Sequence, residues 1–288
     1  MEQKNSSQIY LTRWTILSLV FVFLLNPSVI QASAEKNKNE IIFGILPIVS
    51  TTKLIKRFAP MAKYLSEKLG IPVHMETATD FRTFMNRTNN EERYDLLFTA
   101  PHLYYLAQRK AKYKVIVRVA APDMKALIVV PKKSKIKTLH DLKGNELSTT
   151  DPLALATLMI RAHLSAAGIN PDQDLKMINT PTHNASLLSA FKGITDAGSL
   201  MQPPFKNAKK EITQSMRILS ITDGSPHMPI AVSPRISNEL ANKIKMALLE
   251  LKSSEKGRTL LKKLRWPGFV SAKPKDYDKL KWAVEQLK

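Results

Sequence analysis

Short apolar runs alternate with amphipathic segments along the first third of the chain. Residues 41–46, 73–77 and 94–99 are apolar and rich in β-formers, which is typical of buried strands. Between the first two, apolar residues recur at helical spacing over 54–69. Asp80 stands where it can cap a short helix before the third run. Strand, helix, strand, helix, strand predicts a parallel sheet covered on both faces.

The same alternation returns in the middle of the chain and predicts a second α/β unit. Asp151 as the cap and Pro152 at the first position predict the start of its longest helix. After residue 232 the apolar spacing is helical only, so we expect a helical tail. The predicted strands of this unit are 126–130, 146–148, 175–179 and 194–200, and the predicted helices are 153–167 and 182–191.

Two proline-bearing breaks between strands divide these units. The first is at 121–123 and the second near residue 226. A chain that leaves one α/β unit and later returns to it forms discontinuous domains. We therefore predict one lobe from 35–121 and 226–288 and another from 122–225, each with a mostly parallel sheet flanked by helices.

The beginning of the chain has the pattern of an export signal. Lys4 and Arg13 precede an uncharged apolar run too short to span a bilayer, and Ala32-Ser33-Ala34 fits a cleavage site. Residues 1–34 are therefore expected to be a cleaved signal peptide, although an uncleaved anchor would give the same outward orientation. The chain has no cysteine, so disulfides and lipid attachment are excluded, and a Gram-negative periplasm is the expected location.

The net positive charge of the chain is large, but it excludes few classes of function. The formal net charge is +20, and removal of Lys4, Arg13 and Glu2 with the signal leaves +19. The lysines are scattered over predicted helix faces without interleaved aromatic residues, so a nucleic-acid reader is not expected. The field of such a surface can attract anions.

The edge at which parallel strands end is where a ligand should bind. Ligands of such sheets collect beyond the carboxyl ends of the strands, here at 46–47, 77–80 and 99–102. No nucleophile elbow, metal-binding histidine pair or Walker loop is present. We therefore expect a binding protein and not an enzyme, with no cofactor and no metal.

Four stretches resemble the phosphonate-binding protein family of ABC transporters. This resemblance implies the type II periplasmic binding fold, with two lobes that close on a small anionic solute and a monomer that docks on an ABC permease. The stretches are 43–47, 94–104, 183–185 together with 196–197, and 264–269 together with 276–277.

The resemblance also implies which residues bind the ligand. In the family a turn rich in serine and threonine at a helix start holds the phosphonate oxygens, and 148–153 with Thr149 and Thr150 corresponds to it. Asp151 in this segment either points into the cleft or merely caps the helix. His183 matches the histidine that the family uses on the anion. Further candidates near the strand ends are Thr99, His102 and His227, and Phe81 stands where the family can offer a tyrosine.

Two departures bear on the kind of ligand. Pro203 and Met228 fall where the family places the carboxylates that hold a ligand ammonium. Neither side chain can pair with a cation, and an unpaired buried charge is costly. We therefore expect a compact oxyanion, such as phosphate, phosphite or a simple phosphonate, or an organic ligand with one anionic end.

Two other roles stay open at the level of sequence. One is a periplasmic partner that reports a ligand to a membrane sensor kinase, without a transporter. The other is a cationic protein that binds anionic envelope polymers through its surface charge and has no saturable ligand site.

Overall fold

The computed structural model describes residues 40–287 of the chain. The predicted signal peptide at 1–34 lies outside these residues. The described part contains two β-sheets surrounded by helices. None of its helices is both long enough and apolar enough to cross a membrane.

Six strands form the first sheet and five form the second. In chain order the strands are β1 Ile41–Ile45, β2 Val73–Glu76, β3 Leu96–Phe98, β4 Lys114–Val119, β5 Ala126–Pro131, β6 Glu146–Thr149, β7 Lys176–Asn179, β8 Ala197–Met201, β9 Met216–Ile221, β10 Pro229–Val232 and β11 Phe269–Ser271.

Ten α-helices cover the two sheets in the described part of the chain. They are α1 Thr51–Leu69, α2 Phe81–Asn89, α3 Pro101–Ala111, α4 Leu155–Ala166, α5 His183–Phe191, α6 Gln202–Lys206, α7 Lys210–Ser215, α8 Asn238–Leu249, α9 Glu255–Leu264 and α10 Lys281–Glu285. Short 3-10 turns occur at His140–Leu142, Glu250–Ser253 and Pro274–Leu280.

The predicted α/β class with two lobes is confirmed, but both sheets are mixed instead of mostly parallel. The strand orders are β11-β4-β10-β3-β1-β2 and β7-β6-β8-β5-β9. Strands β1, β2 and β3 run parallel, as do β6, β7 and β8. The remaining neighbours pair antiparallel, because β10 and β11 run opposite to the other strands of the first sheet and β5 runs opposite to the other strands of the second.

The chain passes between the sheets twice, through neighbouring segments. It leaves the first sheet after Val119 and returns to it at Pro229. Between these points Met124 and Ser225 form an isolated antiparallel bridge, so the two passages run side by side. The exact lobe boundaries at 121/122 and 225/226 stay a prediction.

Local signals explain where several elements begin. The Asp80 side chain accepts a hydrogen bond from the Thr83 amide at 2.7 Å and caps α2 as predicted. Pro101 occupies the first turn of α3, also as predicted. The expectation of a purely helical tail is wrong, because Phe269–Ser271 pairs with the open edge of β4 as strand β11.

A buried carboxylate sets the register at the centre of the first sheet. Asp95 is fully buried, accepts a hydrogen bond from the Ile42 amide at 3.0 Å and lies 3.1 Å from the Arg235 guanidinium. Its backbone binds the carbonyl of Ile42 and the amide of Ser233. One residue thus connects β1, the start of β3 and the end of β10.

Replacement of Asp95 by alanine should destabilise the fold strongly. The change leaves Arg235 without its buried partner and the Ile42 amide without its acceptor, and breaking a buried ion pair typically costs about 3 kcal/mol or more. Urea denaturation measures the free energy of unfolding. Glu92→Ala is the matched control, since half-exposed Glu92 lies 3.8 Å from the same guanidinium and should lose less than about 1 kcal/mol. Equal losses in the two variants would contradict the role given to Asp95.

Candidate ligand-binding cleft

The carboxyl ends of parallel strands form one edge of the first sheet. Strands β1 and β3 end side by side, and the Leu46 amide donates to the Phe98 carbonyl at 3.0 Å. Thr99 follows β3 and is almost completely buried, yet its hydroxyl has no hydrogen-bond partner among the described residues. This edge is where sequence analysis placed the ligand.

His102 connects this edge of the first sheet to the part of the chain that contains the second sheet. It is fully buried in the first turn of α3, and its Nε2 lies 3.0 Å from the carbonyl oxygen of Leu153. Leu153 belongs to the segment between β6 and α4. The strand ends of the two sheets therefore face each other across a direct hydrogen bond.

The hydroxyls expected to hold an anion pair with each other instead. Thr149 and Thr150 are buried at the end of β6. Their Oγ1 atoms lie 2.8 and 3.2 Å from Oγ1 of Thr157, a buried residue in the first turn of α4. These hydroxyls fasten the strand to the helix that follows it.

Helix α4 begins two residues later than predicted. Asp151 does not cap it: its Oδ1 accepts a hydrogen bond from the Leu153 amide at 2.8 Å and closes a turn before the helix. The residue at the cap position is Ala154, which offers no side-chain acceptor. The side chains that begin the helix, Leu155 and Ala156, are apolar and buried. The first-turn N–H groups have no acceptor within a helix, and no capping side chain supplies one at Ala154.

His183 follows the strand that neighbours β6. Strands β6 and β7 are parallel neighbours, and the Thr180 hydroxyl after β7 donates to the Thr149 carbonyl at 2.7 Å. Thr182 caps α5 by accepting from the Ala185 amide at 3.1 Å, and this places His183 at the first helical position. Its Nδ1 is buried without a partner among the described residues. Burial lowers the pKa of His183 to about 4, so the ring is neutral near pH 7.

The other two predicted residues lie on the side of the first sheet. Phe81 begins α2 and packs, partly buried, against the apolar core. His227 lies in the returning passage, and its Nδ1 accepts from the Met228 amide at 2.8 Å. Burial first, and then the charge of Arg118, lower the pKa of His227 to about 4.

The sequence analysis did not identify three groups that contact or influence the candidate residues. The Leu153 carbonyl carries no side-chain signal. Thr157 could have been noticed as a polar residue within an apolar helical run. Arg57 also lies close enough to help lower the pKa of His227 and is itself packed over the Trp266 ring at 5.2 Å.

Three buried polar atoms without a partner among the described residues belong to segments that follow or adjoin these strand ends. They are Thr99 Oγ1, His102 Nδ1 and His183 Nδ1. Buried polar atoms are nearly always hydrogen-bonded, so each exception calls for a partner that the described residues do not supply. The described residues include no cluster of acidic or histidine side chains suited to a metal ion.

Comparisons with known proteins agree with this architecture. A family model described as the periplasmic substrate-binding protein of a phosphonate ABC transporter matches residues 43–277. The phosphonates-binding periplasmic protein of Escherichia coli is 21% identical over an alignment of 268 residues, and the match covers 88% of this chain and 79% of that protein.

Solved structures share the fold at lower identity. PhnD1 from Prochlorococcus marinus, solved in complex with methylphosphonate, superposes with a TM-score of 0.77 at 19% identity and covers 87% of this chain and 99% of its own. A binding protein of an ABC phosphonate transporter from Pseudomonas aeruginosa gives a TM-score of 0.73 at 17% identity, with 83% of each chain covered.

Loss of the Thr157 hydroxyl should destabilise the protein. Thr157→Val leaves the buried hydroxyls of Thr149 and Thr150 without their partner, which costs about 2 kcal/mol. Urea denaturation measures this change. Thr259→Val is the control, because Thr259 is exposed on α9 and should change the free energy of unfolding by less than about 0.5 kcal/mol. An unchanged stability in Thr157→Val would contradict the hydroxyl pairing.

Acidification should destabilise the fold between pH 6.5 and 4. His102, His183 and His227 have a pKa of about 4 in the folded protein against 6.5 for a free histidine. The unfolded state binds more protons in this range, so the free energy of unfolding falls as the pH falls and the loss is complete below about pH 4. His102→Leu should flatten this pH dependence, whereas Thr259→Val, which changes an exposed residue that does not titrate, should leave it unchanged. Denaturation series at several pH values provide the measurement.

Proposed function

Because the chain belongs to the family of periplasmic substrate-binding proteins of phosphonate ABC transporters, we propose that it binds a small phosphorus oxyanion between its two lobes. The observation that supports this proposal is that Thr99, His102 and His183 each have a buried polar atom with no partner among the described residues. The facing edges that bear them are held together by the bond between His102 and the Leu153 carbonyl.

The proposed lobes are 35–121 with 226–288, and 122–225. Hinge closure of such lobes around a ligand is a common binding movement. Here the hinge would be the paired passages near Met124 and Ser225. The bond between His102 and Leu153 can form only when the lobes approach, so it favours the closed form.

The anion would be held mainly by backbone groups. The first-turn N–H groups of α4 offer donors and the positive end of a helix dipole. His183 and Thr99 add side chains that can donate a hydrogen bond. Since the three histidines are neutral at pH 7, they supply no full positive charge. A compact anion of low charge suits such a site better than a fully ionised one.

The chain acts with a membrane partner and without chemistry of its own. Members of this family deliver their ligand to an ABC permease. The protein is expected to work as a monomer in the periplasm after removal of residues 1–34, and no catalytic step is proposed. A sensor kinase as the partner is not favoured. Adhesion to anionic polymers through the surface charge would be strongly salt-dependent, whereas binding in the cleft would saturate with one solute.

A panel of four anions tests the ligand class. Thermal shift and calorimetry with phosphate, phosphite, methylphosphonate and 2-aminoethylphosphonate should show saturable binding of at least one of the first three. The amine compound should bind at least about tenfold more weakly, because Pro203 and Met228 leave its ammonium without a counter-charge. Tight binding of the amine compound alone would overturn this assignment.

The role of His183 has its own matched pair of variants. His183→Ala should weaken binding of the preferred anion about tenfold by removal of one hydrogen bond. His140→Ala, at an exposed position far along the chain, should leave the affinity unchanged. If His183→Ala binds as tightly as the wild type, the proposed anion site is wrong and only the fold remains supported.

A further inference from the structure

The orientation of one imidazole ring restricts the ligand further. His102 is fully buried, and its Nε2 lies 3.0 Å from the Leu153 carbonyl oxygen. A carbonyl oxygen only accepts hydrogen bonds, so Nε2 must carry the hydrogen. This contact joins α3 to the segment before α4. It therefore fixes the tautomer of His102 whenever these two segments are in contact.

The other nitrogen of this ring is therefore an acceptor. A doubly protonated ring would need an acceptor at Nδ1 as well, and among the described residues Nδ1 has no partner of any kind. Burial lowers the pKa of His102 to about 4, which agrees with a neutral ring. Nδ1 thus presents a lone pair in a buried position.

The neighbouring groups are not restricted in this way. The Thr99 hydroxyl can donate or accept, and no contact fixes the tautomer of His183. Both can therefore donate to an anionic oxygen. At His102 Nδ1, in contrast, an unprotonated oxygen would face the lone pair and be repelled, and only an O–H or N–H group of the ligand matches.

We propose that the cleft selects an oxyanion that keeps one proton, with the O–H of the ligand donating to Nδ1 of His102 and the unprotonated oxygens bound by His183 and the first-turn N–H groups of α4. This proposal deepens the proposed function and rests on it. It makes His102 a specificity-determining residue that distinguishes hydrogen phosphonates and related acids from anions of the same shape without a proton.

Methylphosphonate and methanesulfonate form the decisive pair of probes. Both are tetrahedral and carry one methyl group, but at mildly acidic pH methylphosphonate is a monoanion that keeps a proton, and methanesulfonate is a monoanion that has none. Calorimetry with the wild-type protein should show binding of methylphosphonate at least about 100-fold tighter than that of methanesulfonate, since a site that pairs a ligand hydroxyl rejects analogues lacking it.

Two variants distinguish recognition of the ligand by His102 from a role of His102 in lobe closure alone. His102→Leu should reduce the ratio of the two affinities to within about threefold of unity. A residue that only holds the lobes together would weaken both ligands equally and leave the ratio unchanged, so an unchanged ratio overturns the proposal. His183→Ala is the control, and it should weaken both probes while preserving the ratio.

The outcomes also separate this proposal from the function on which it rests. If the wild-type protein binds both probes with equal affinity, the selection of a protonated ligand is overturned and the anion receptor stands. If it binds neither probe and no other member of the anion panel, the proposed function fails. Should His102→Leu not fold, as judged by its thermal unfolding, the wild-type affinity ratio alone decides the matter.

Discussion

The buried Asp95 carboxylate is the contact on which the geometry of the cleft depends. It fixes β3 between β1 and β10 through Ile42 and Arg235. A strand that slips by one residue turns every side chain to the opposite face of its sheet. With this register, β1 and β3 end level with each other, and Thr99 and His102 arrive at the edge that meets the second sheet. The carboxylate itself lies at the far end of β3, so it positions the candidate site without being part of it.

A close approach of backbone and ring supports the same register. The Tyr94 ring lies so near Gly44 that an added Cβ would come within 2.4 Å of it. Glycine at this point of β1 lets the ring cover the strand, and Tyr94 stacks on Phe84 of α2 with ring centroids 5.1 Å apart. The apolar packing therefore joins α2 to β1 and to the start of β3, and the buried carboxylate next to it in sequence holds the last two of these elements to β10. The strand ends can then serve as a rigid half of the cleft.

In the second sheet, hydroxyl groups hold the strand ends to the helices that follow them. Thr157 of α4 engages Thr149 and Thr150 at the end of β6, and Ser186 of α5 contacts the Ser148 carbonyl at 2.9 Å. These pairings fix both helix starts but leave few side-chain donors for a ligand. Backbone N–H groups and three neutral histidine or threonine side chains remain at the facing edges. The formal charge of +20 of the whole chain is therefore not reflected in these three side chains.

The sequence by itself determined the alternation of strands and helices and the resemblance to a receptor family, and it predicted the edge where a ligand should bind. These depend on local periodicity, caps such as Asp80 and short motifs, which are properties of neighbouring residues. The tertiary structure alone decided that the sheets are mixed, that α4 begins at Leu155 and that Thr149 and Thr150 face inward. It also decided which nitrogen of His102 carries the hydrogen, since that depends on a carbonyl 51 residues away. The sequence states the chemical type of each side chain, but packing between distant segments determines its hydrogen-bond partner.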